Sequence, residues 1–402
     1  MLLRATAMTL LAVEAAQAQL LASTAPLTPE TLPLRAAAGR HLARDYTALR
    51  TQPPFDASAM DGYAIRWADR AGPWTIVGEA AAGRRFEGHI GPGEATRILT
   101  GAPLPAGADT VVVQEDVERA GDALRLTRDG PPFEGAHIRR AGLDFSEGDA
   151  LLEAGDSLTP ARVGLLAAAG HSAVDVPRRP IVALLATGNE LVPPGVQPGP
   201  DQIVSSNGVM LAALFEAAGA TVIDAGIARD DAAELGDAIT ALAHADLIVT
   251  IGGASVGDHD LVLPVLRSLG ATIDFWRLAL RPGKPMLAGR LGRAQVVGLP
   301  GNPVSAFVCA QLFILPMLRR WQGDPAPLLQ LSQARAAVAL PANGPRQDYM
   351  RGSLVDGLIT PAARQDSSML RTLAMANVLI ARAPDAPSIA AGDIVDYLSI
   401  DS

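Results

Sequence analysis

Residues 181–190 read IVALLATGNE and residues 246–258 read DLIVTIGGASVGD. Each is a short apolar run that stops at a glycine turn carrying polar groups. A run that is apolar at nearly every position, rather than at alternate ones, is what a strand buried on both faces requires. Helical stretches lie around them: GVMLAALFEAAGA (208–220), AAELGDAITALAHA (232–245), LVLPVLRSLG (261–270) and SAFVCAQLFILPMLRRW (305–321). Further strand-like runs are TVIDAGIARDD (221–231), ATIDFWRLAL (271–280) and AQVVGLPGNP (294–303). This alternation predicts a doubly wound, mostly parallel α/β domain over residues 178–325.

The rest of the chain has a different texture. At 402 residues it exceeds one compact core and suggests about two to four domains. Residues 1–48 together with 143–177 read as a helical and extended linker domain, and Thr159 is placed to cap a helix. Residues 49–142 are short β-prone runs cut by Gly and Pro, a β-rich domain. Residues 326–402 return to strands and turns and predict a small C-terminal β-barrel. The fold class is therefore α/β multidomain.

Composition excludes several functions. The net charge is −9, aromatic content is 4 %, and no long basic run occurs, which argues against a nucleic-acid partner. Cys309 is the only cysteine, so an internal disulfide or a cysteine metal cluster is impossible; a reducing, cytoplasmic setting is expected. At the N-terminus, Leu10, Leu11, Val13, Leu20 and Leu21, interleaved with Glu14, Gln17 and Gln19, suit an amphipathic helix better than a secretory signal. No run approaches the ~20 uninterrupted apolar residues of a membrane span, so no membrane partner is expected.

In a doubly wound sheet, ligands bind just past the carboxyl ends of strands. Four loops lie there: ATGNE, IGGASVGDHD, RPGKP and GLPGNP. Gly252, Gly253 and Gly257 permit close backbone approach, and Ser255 adds a hydroxyl, which together suit a phosphate or another oxyanion. Asn302 reads as a helix N-cap with Pro303 in the first turn. GASVG (253–257) matches the serine-hydrolase elbow, but the only histidine after Ser255 is His259, too close to complete a triad. Lys284 in RPGKP is the sole lysine, against 32 arginines, the remainder of 33 Lys+Arg. A compact ammonium fits a tight oxyanion site that a planar guanidinium cannot enter, and Arg281 could support it. Glu190, Asp258, Asp260, Asp230 and Asp231 supply carboxylates; from the second block Asp56 and Asp61 add two more, and Thr100 a hydroxyl. Such a set suits Mg²⁺-assisted chemistry on a phosphate or oxyanion. Carboxylates at loop ends also serve as caps and turn formers, and for Asp56, Asp230 and Asp231 both readings stand.

The motifs FDASAMDGYAIR, RILTGAPLPAGADTVV, HIRRAGLDFSEGD, LLATGNEL, GIARDD, TIGGASVGDHD, FWRLALRPGKP and GLPGNPVSA occur in an order and spacing that resemble the molybdopterin molybdenumtransferase family, which includes the C-terminal domain of gephyrin. The resemblance spans essentially the whole chain. It implies a transferase that inserts molybdenum from molybdate into adenylylated molybdopterin, with Mg²⁺ assisting and AMP released. It also implies a four-domain subunit in a homodimer whose cleft is shared between subunits. Matched by position, it implies a catalytic set of Asp61, Thr100, Glu190, Asp260 and Lys284, with Glu190 and Asp260 as metal ligands. Gly252, Gly253, Ser255, Gly257, Arg281, Pro300, Gly301, Asn302, Pro303 and Arg351 would bind substrate. Positions to weigh against the family pattern are Asn189, which stands where an aspartate is common, Ser206, which stands where an acid-or-hydroxyl pattern often occurs, and Arg281, which replaces a second lysine. Two other readings are a molybdopterin-binding scaffold without metal insertion and a Mg²⁺-dependent phosphohydrolase.

Overall fold

The structure is a computed structural model and describes residues 10–253 and 261–400. The chain forms two compact units, one of residues up to Glu30 with Val176 onward, the other Thr31–Asp175.

The first unit is built on a six-stranded sheet. Its strands are β1 (Ile181–Thr187), β2 (Thr221–Ala228), β3 (Leu247–Ile251), β4 (Thr272–Trp276), β5 (Leu287–Leu291) and β6 (Ala294–Leu299), in the order β2-β1-β3-β6-β5-β4. β2, β1, β3 and β6 run parallel, with Leu184 opposite Val249 and Val249 opposite Val297. β5 is antiparallel to both neighbours, so the sheet is mixed. The sequence reading passed straight from β4 to β6; the reversal comes from the two-residue turn Gly292–Arg293, with Gly292 at φ 59°. A glycine first in a two-residue loop is what a tight hairpin demands.

Alternation places the two faces in two cores. Leu184, Val249 and Val297 pack under the helix Asn207–Ala217 and the C-terminal helical run. Ala183, Leu185, Ile248 and Val296 pack under Ala232–Ala241 and Val262–Ser268. Strands covered on both faces account for runs without polar alternation. The run Pro303–Trp321 is 19 residues long with mean hydropathy 1.2, the length and composition of a span, yet 83 % of it is buried as a core helix. It carries a π-helical turn at Ala310–Ile314 ahead of Pro316.

Residues 1–48, one block in the sequence reading, divide. The helix Val13–Ala22 buries Val13, Ala16 and Leu20 in the α/β core. Residues 31–48 lie in the other unit beside 145–175, where Ala48, Phe145 and Ala169 share a cluster. Thr159 caps Pro160–Ala168 by accepting from the Arg162 N–H. That unit also contains a six-stranded sheet, in the order Thr110–Val113, Gly62–Ile65, Glu94–Ile98, Trp74–Ala80, Ala123–Leu126, Val117–Ala120.

After the α/β sheet, five strands close into a barrel: Gln347–Val355, Leu358–Pro361, Ser332–Ala336, Ile394–Ser399 and Val378–Arg382, the last pairing back to the first. Closure removes the exposed edges of so small a sheet. Leu280–Arg281 pairs with Gln347–Asp348 and fastens the barrel to the loop after β4.

Candidate functional site

β4 runs parallel to β6, since both are antiparallel to β5. The segments after β1, β3, β4 and β6 therefore leave the same sheet edge. A cleft of about 690 Å³ opens there, lined by Thr187, Gly188, Glu190, Asp230, Gly252, Gly253, Pro285 and Pro300–Pro303, with Ser368 from the barrel segment.

Its floor is built by close backbone packing. Gly252 has φ 90° and Gly253 φ 61°. A Cβ on Gly252 would stand 2.8 Å from the Thr187 carbonyl oxygen, and one on Gly253 2.5 Å from Val262 Cγ2. Only glycine fits either position. Between them the Thr187 Oγ1 is buried and has no hydrogen-bond partner among the described residues. An unpaired buried hydroxyl costs about 1–3 kcal/mol, and Thr187 shares that state with Thr96 and Thr250 elsewhere in the chain.

The walls are held by Asn302 and by two residues the sequence reading did not single out, Asn207 and Ser367. Asn207 Nδ2 donates to the Gly301 carbonyl at 2.7 Å. Asn302 stands at the cap position with Pro303 in the first turn, but its side chain caps no backbone amide. Its Nδ2 instead donates to Ser367 Oγ at 3.0 Å, and the Val304 N–H donates to the Ser367 carbonyl at 3.1 Å. No local pattern marks Asn207 or Ser367, because each acts across a long separation.

The sequence-derived residues sort as follows. Glu190 is exposed at the cleft; on its wall Gly301 is exposed, Pro303 half-buried and Pro300 buried. Asn189 and Asp230 lock their two loops together: the Asn189 N–H donates to Asp230 Oδ2 and the Asp230 N–H to Asn189 Oδ1, each at 3.2 Å. Asp231 caps Ala232–Ala241. Asp56 is a turn former, taking Arg140 Nη1 at 2.6 Å and the Ala141 N–H at 2.8 Å. Lys284 is exposed, and its carbonyl accepts from the Leu278 N–H at 2.9 Å. The preceding Gly283, at φ 119°, rests on the buried Cys309: a Cβ there would be 2.6 Å from Sγ. Ser255, Gly257, Asp258 and Asp260 lie outside the described residues.

Both arginines of the site have partners inside the chain. Arg281 is paired with the buried Asp348 and reaches Asn343 Oδ1 at 3.3 Å; the bond to Asp348 raises its pKa. Arg351 is 1 % exposed and does not line the cleft. It donates to Gln365 Oε1 through Nε and Nη2, at 3.1 and 2.9 Å, and through Nη1 to the Asp366 carbonyl at 2.7 Å. It thus holds the segment that carries Ser367 and Ser368. Burial pushes its pKa down.

In the second unit Asp61 and Thr100 are brought together. Thr100 donates to Asp61 Oδ1 twice, from its N–H at 2.7 Å and its hydroxyl at 2.8 Å, and these bonds hold the carboxyl below its ordinary value.

Among the described residues no three His, Cys, Asp or Glu side chains gather as a metal site. Glu190 and Asp230 do share the cleft. That set fits Mg²⁺ only in its usual mode, one or two carboxylates with the substrate's phosphates completing the shell.

These features define a multidomain α/β protein with a polar cleft at the strand ends of its sheet. The MoeA N-terminal region (domain I and II) matches residues 11–170, the probable molybdopterin binding domain 183–320, and the MoeA C-terminal region (domain IV) 333–400. Molybdopterin molybdenumtransferase 2 of Mycobacterium tuberculosis is 37 % identical over 379 residues, 90 % of this chain and 93 % of that one. The molybdopterin molybdenumtransferase of Haemophilus influenzae is 40 % identical over 302 residues, 74 % of each. The molybdopterin biosynthesis moea protein from Pyrococcus horikosii superposes with a TM-score of 0.86 at 30 % identity, covering 98 % of this chain and 100 % of that one. The chain belongs to the molybdopterin molybdenumtransferase family, transferases of molybdenum cofactor biosynthesis.

Proposed function

We propose that the protein inserts molybdenum from molybdate into adenylylated molybdopterin and releases AMP. The observation that carries this reading is the cleft floor: two glycines that admit no Cβ, beside a buried, unpartnered Thr187 hydroxyl. Such a floor suits a tetrahedral oxyanion, and both substrates present one.

The Gly253 N–H and the Thr187 hydroxyl bind a substrate phosphate, the Gly252 N–H being given to the Leu299 carbonyl. Lys284, on the loop whose Pro285 lines the cleft, offers a compact positive charge to molybdate. Glu190, and Asp260 as the sequence resemblance implies, would hold Mg²⁺ together with those phosphates. The ion, when bound, supplies charge neutralisation for cleavage of the pyrophosphate bond. The substrate's dithiolene sulfurs take the molybdenum, so a chain with a single buried cysteine suffices. In the homodimer that the resemblance implies, Asp61 and Thr100 reach in from the partner subunit. A cytoplasmic location belongs to the same reading.

The test is AMP release from adenylylated molybdopterin with Mg²⁺, with and without molybdate, beside Lys284→Arg. Molybdate-dependent release that leaves molybdenum on the pterin, and is lost in K284R, is the expected result. Release indifferent to molybdate would make the protein a phosphohydrolase, and tight binding without release a scaffold.

A further inference from the structure

The loop that carries Lys284 has a firm root and a lightly held tip. At the root, the Leu11 N–H donates to the Arg277 carbonyl at 3.2 Å and the Leu11 carbonyl accepts from the Ala279 N–H at 2.8 Å. On the other side the Gln347 N–H donates to the Ala279 carbonyl at 2.9 Å, where Leu280–Arg281 runs beside Gln347–Asp348. At the tip, the Leu278 N–H closes the loop onto the Lys284 carbonyl, and the Gly283 carbonyl accepts a weak bond from the Cys309 thiol at 3.7 Å. The Lys284 ammonium has no hydrogen bond or ion pair among the described residues.

One side chain joins root and tip. Arg281, the last residue of the root, turns Nη2 onto the Asp348 carboxylate and reaches Asn343 Oδ1 at 3.3 Å. Both acceptors are fixed in the barrel. Asp348 is 4 % exposed. Asn343 donates from Nδ2 to the carbonyls of Arg346, Arg382 and Ala383, at 2.9, 3.1 and 2.7 Å. A charge-assisted bond to a buried carboxylate is among the stronger single contacts a side chain makes, and it balances the charge of Arg281. Asp348 and Asn343 do not line the cleft, so whatever they contribute to it passes through Arg281.

We propose that Asp348 and Asn343 are positioning residues that act through Arg281 to fix the loop, so that Lys284 meets an oxyanion from a set place. The inference rests on the proposed role of Lys284 toward molybdate. Arg281 is then a strut and not a ligand. A loop ordered in advance spares the anion the cost of ordering it on binding.

Arg281→Gln and Asp348→Asn each cut the clamp from one end. Asp348 also balances the buried guanidiniums of Arg351 and Arg382, so its loss risks the fold. Arg281 is half-exposed, and its loss leaves Asp348 those two partners, so Arg281→Gln carries the test if the other variant does not fold. On the full chain, amide exchange is followed at Leu278, whose bond to Lys284 closes the loop, and molybdate and pyrophosphate are titrated calorimetrically. Both variants should speed Leu278 exchange and lose about tenfold in molybdate affinity, the scale of one lost charge-assisted hydrogen bond, while pyrophosphate affinity holds. The double variant should be no worse than the worse single one, since both remove one contact. If Arg281 were itself a ligand, Arg281→Gln would weaken molybdate with Leu278 exchange unchanged, and Asp348→Asn, which frees the guanidinium, would tighten it; that outcome overturns the proposal. Equal loss of both anions, or a wild type that binds no molybdate, overturns it too. Selective molybdate loss in the variants with no AMP release by the wild type would keep the clamp and sink the reaction. Molybdate-dependent AMP release with unchanged molybdate affinity in the variants would do the reverse.

Discussion

The side-chain amide of Gln17 donates to the backbone carbonyl of Leu312 at 2.8 Å, across 295 residues. Four residues beyond Leu312 stands Pro316, which has no N–H to give that carbonyl. The π turn Ala310–Ile314 precedes the same proline. Gln17 replaces the missing donor and lets an interrupted helix remain in the core. Gln17→Leu should therefore leave the carbonyl unsatisfied and cost about 1–3 kcal/mol. A drop in the urea midpoint of the first unit checks it, and an unchanged midpoint refutes it.

Thr187 should behave oppositely. Its hydroxyl is buried without a partner, so Thr187→Val removes an unsatisfied polar group at constant shape. The expected result is equal or higher thermal stability together with a loss of pyrophosphate affinity, while Thr187→Ser retains binding. A valine variant that unfolds more readily would show the hydroxyl to be structural.

Arg351 is expected to act through the loop it holds. Arg351→Lys cannot reproduce the fork onto Gln365 and Asp366. The Val304 N–H, bonded to the Ser367 carbonyl, should then exchange with solvent faster, and turnover should fall. Normal Val304 protection with turnover lost would place Arg351 in direct contact with substrate instead.

Asp61 has a pH signature. Its carboxyl is held below the ordinary 3.8 by two bonds from Thr100. A depressed acid contributes its stabilisation above the unfolded-state value and loses it as pH falls through the folded one. The wild-type carboxylate should thus stay charged as the pH drops below about 4, and Thr100→Val should move its midpoint upward. Carboxyl-carbon NMR titration reads both. An identical midpoint in the variant contradicts the assignment.

Much of the α/β unit was legible because its signals are local. Unbroken apolar runs mark strands covered on both faces, and glycines at the ends of β1 and β3 mark backbone conformations that other residues resist. β5 was not legible: a five-residue strand after RPGKP reads as the tail of a loop until the Gly292 turn shows the reversal. The N-terminal helix was readable as a helix, but its partner was not, since Val13, Ala16 and Leu20 could cover any apolar face. Asn189, a departure from the family pattern, also clasps its loop to that of Asp230, a bond across 41 residues that no local pattern marks.

Local order alone thus determined the α/β alternation, the glycine-built loops and the prominence of Lys284, because strand, turn and cap preferences act within a few residues. Tertiary structure alone decided which charges are spent inside the chain. Arg281 and Asp348 are 67 residues apart, and Arg351 meets a loop that returns to it only because five strands close into a barrel. A buried ion or donor must be satisfied by whatever packing brings within reach, and that neighbour is set by the closure of the whole chain rather than by any stretch of it.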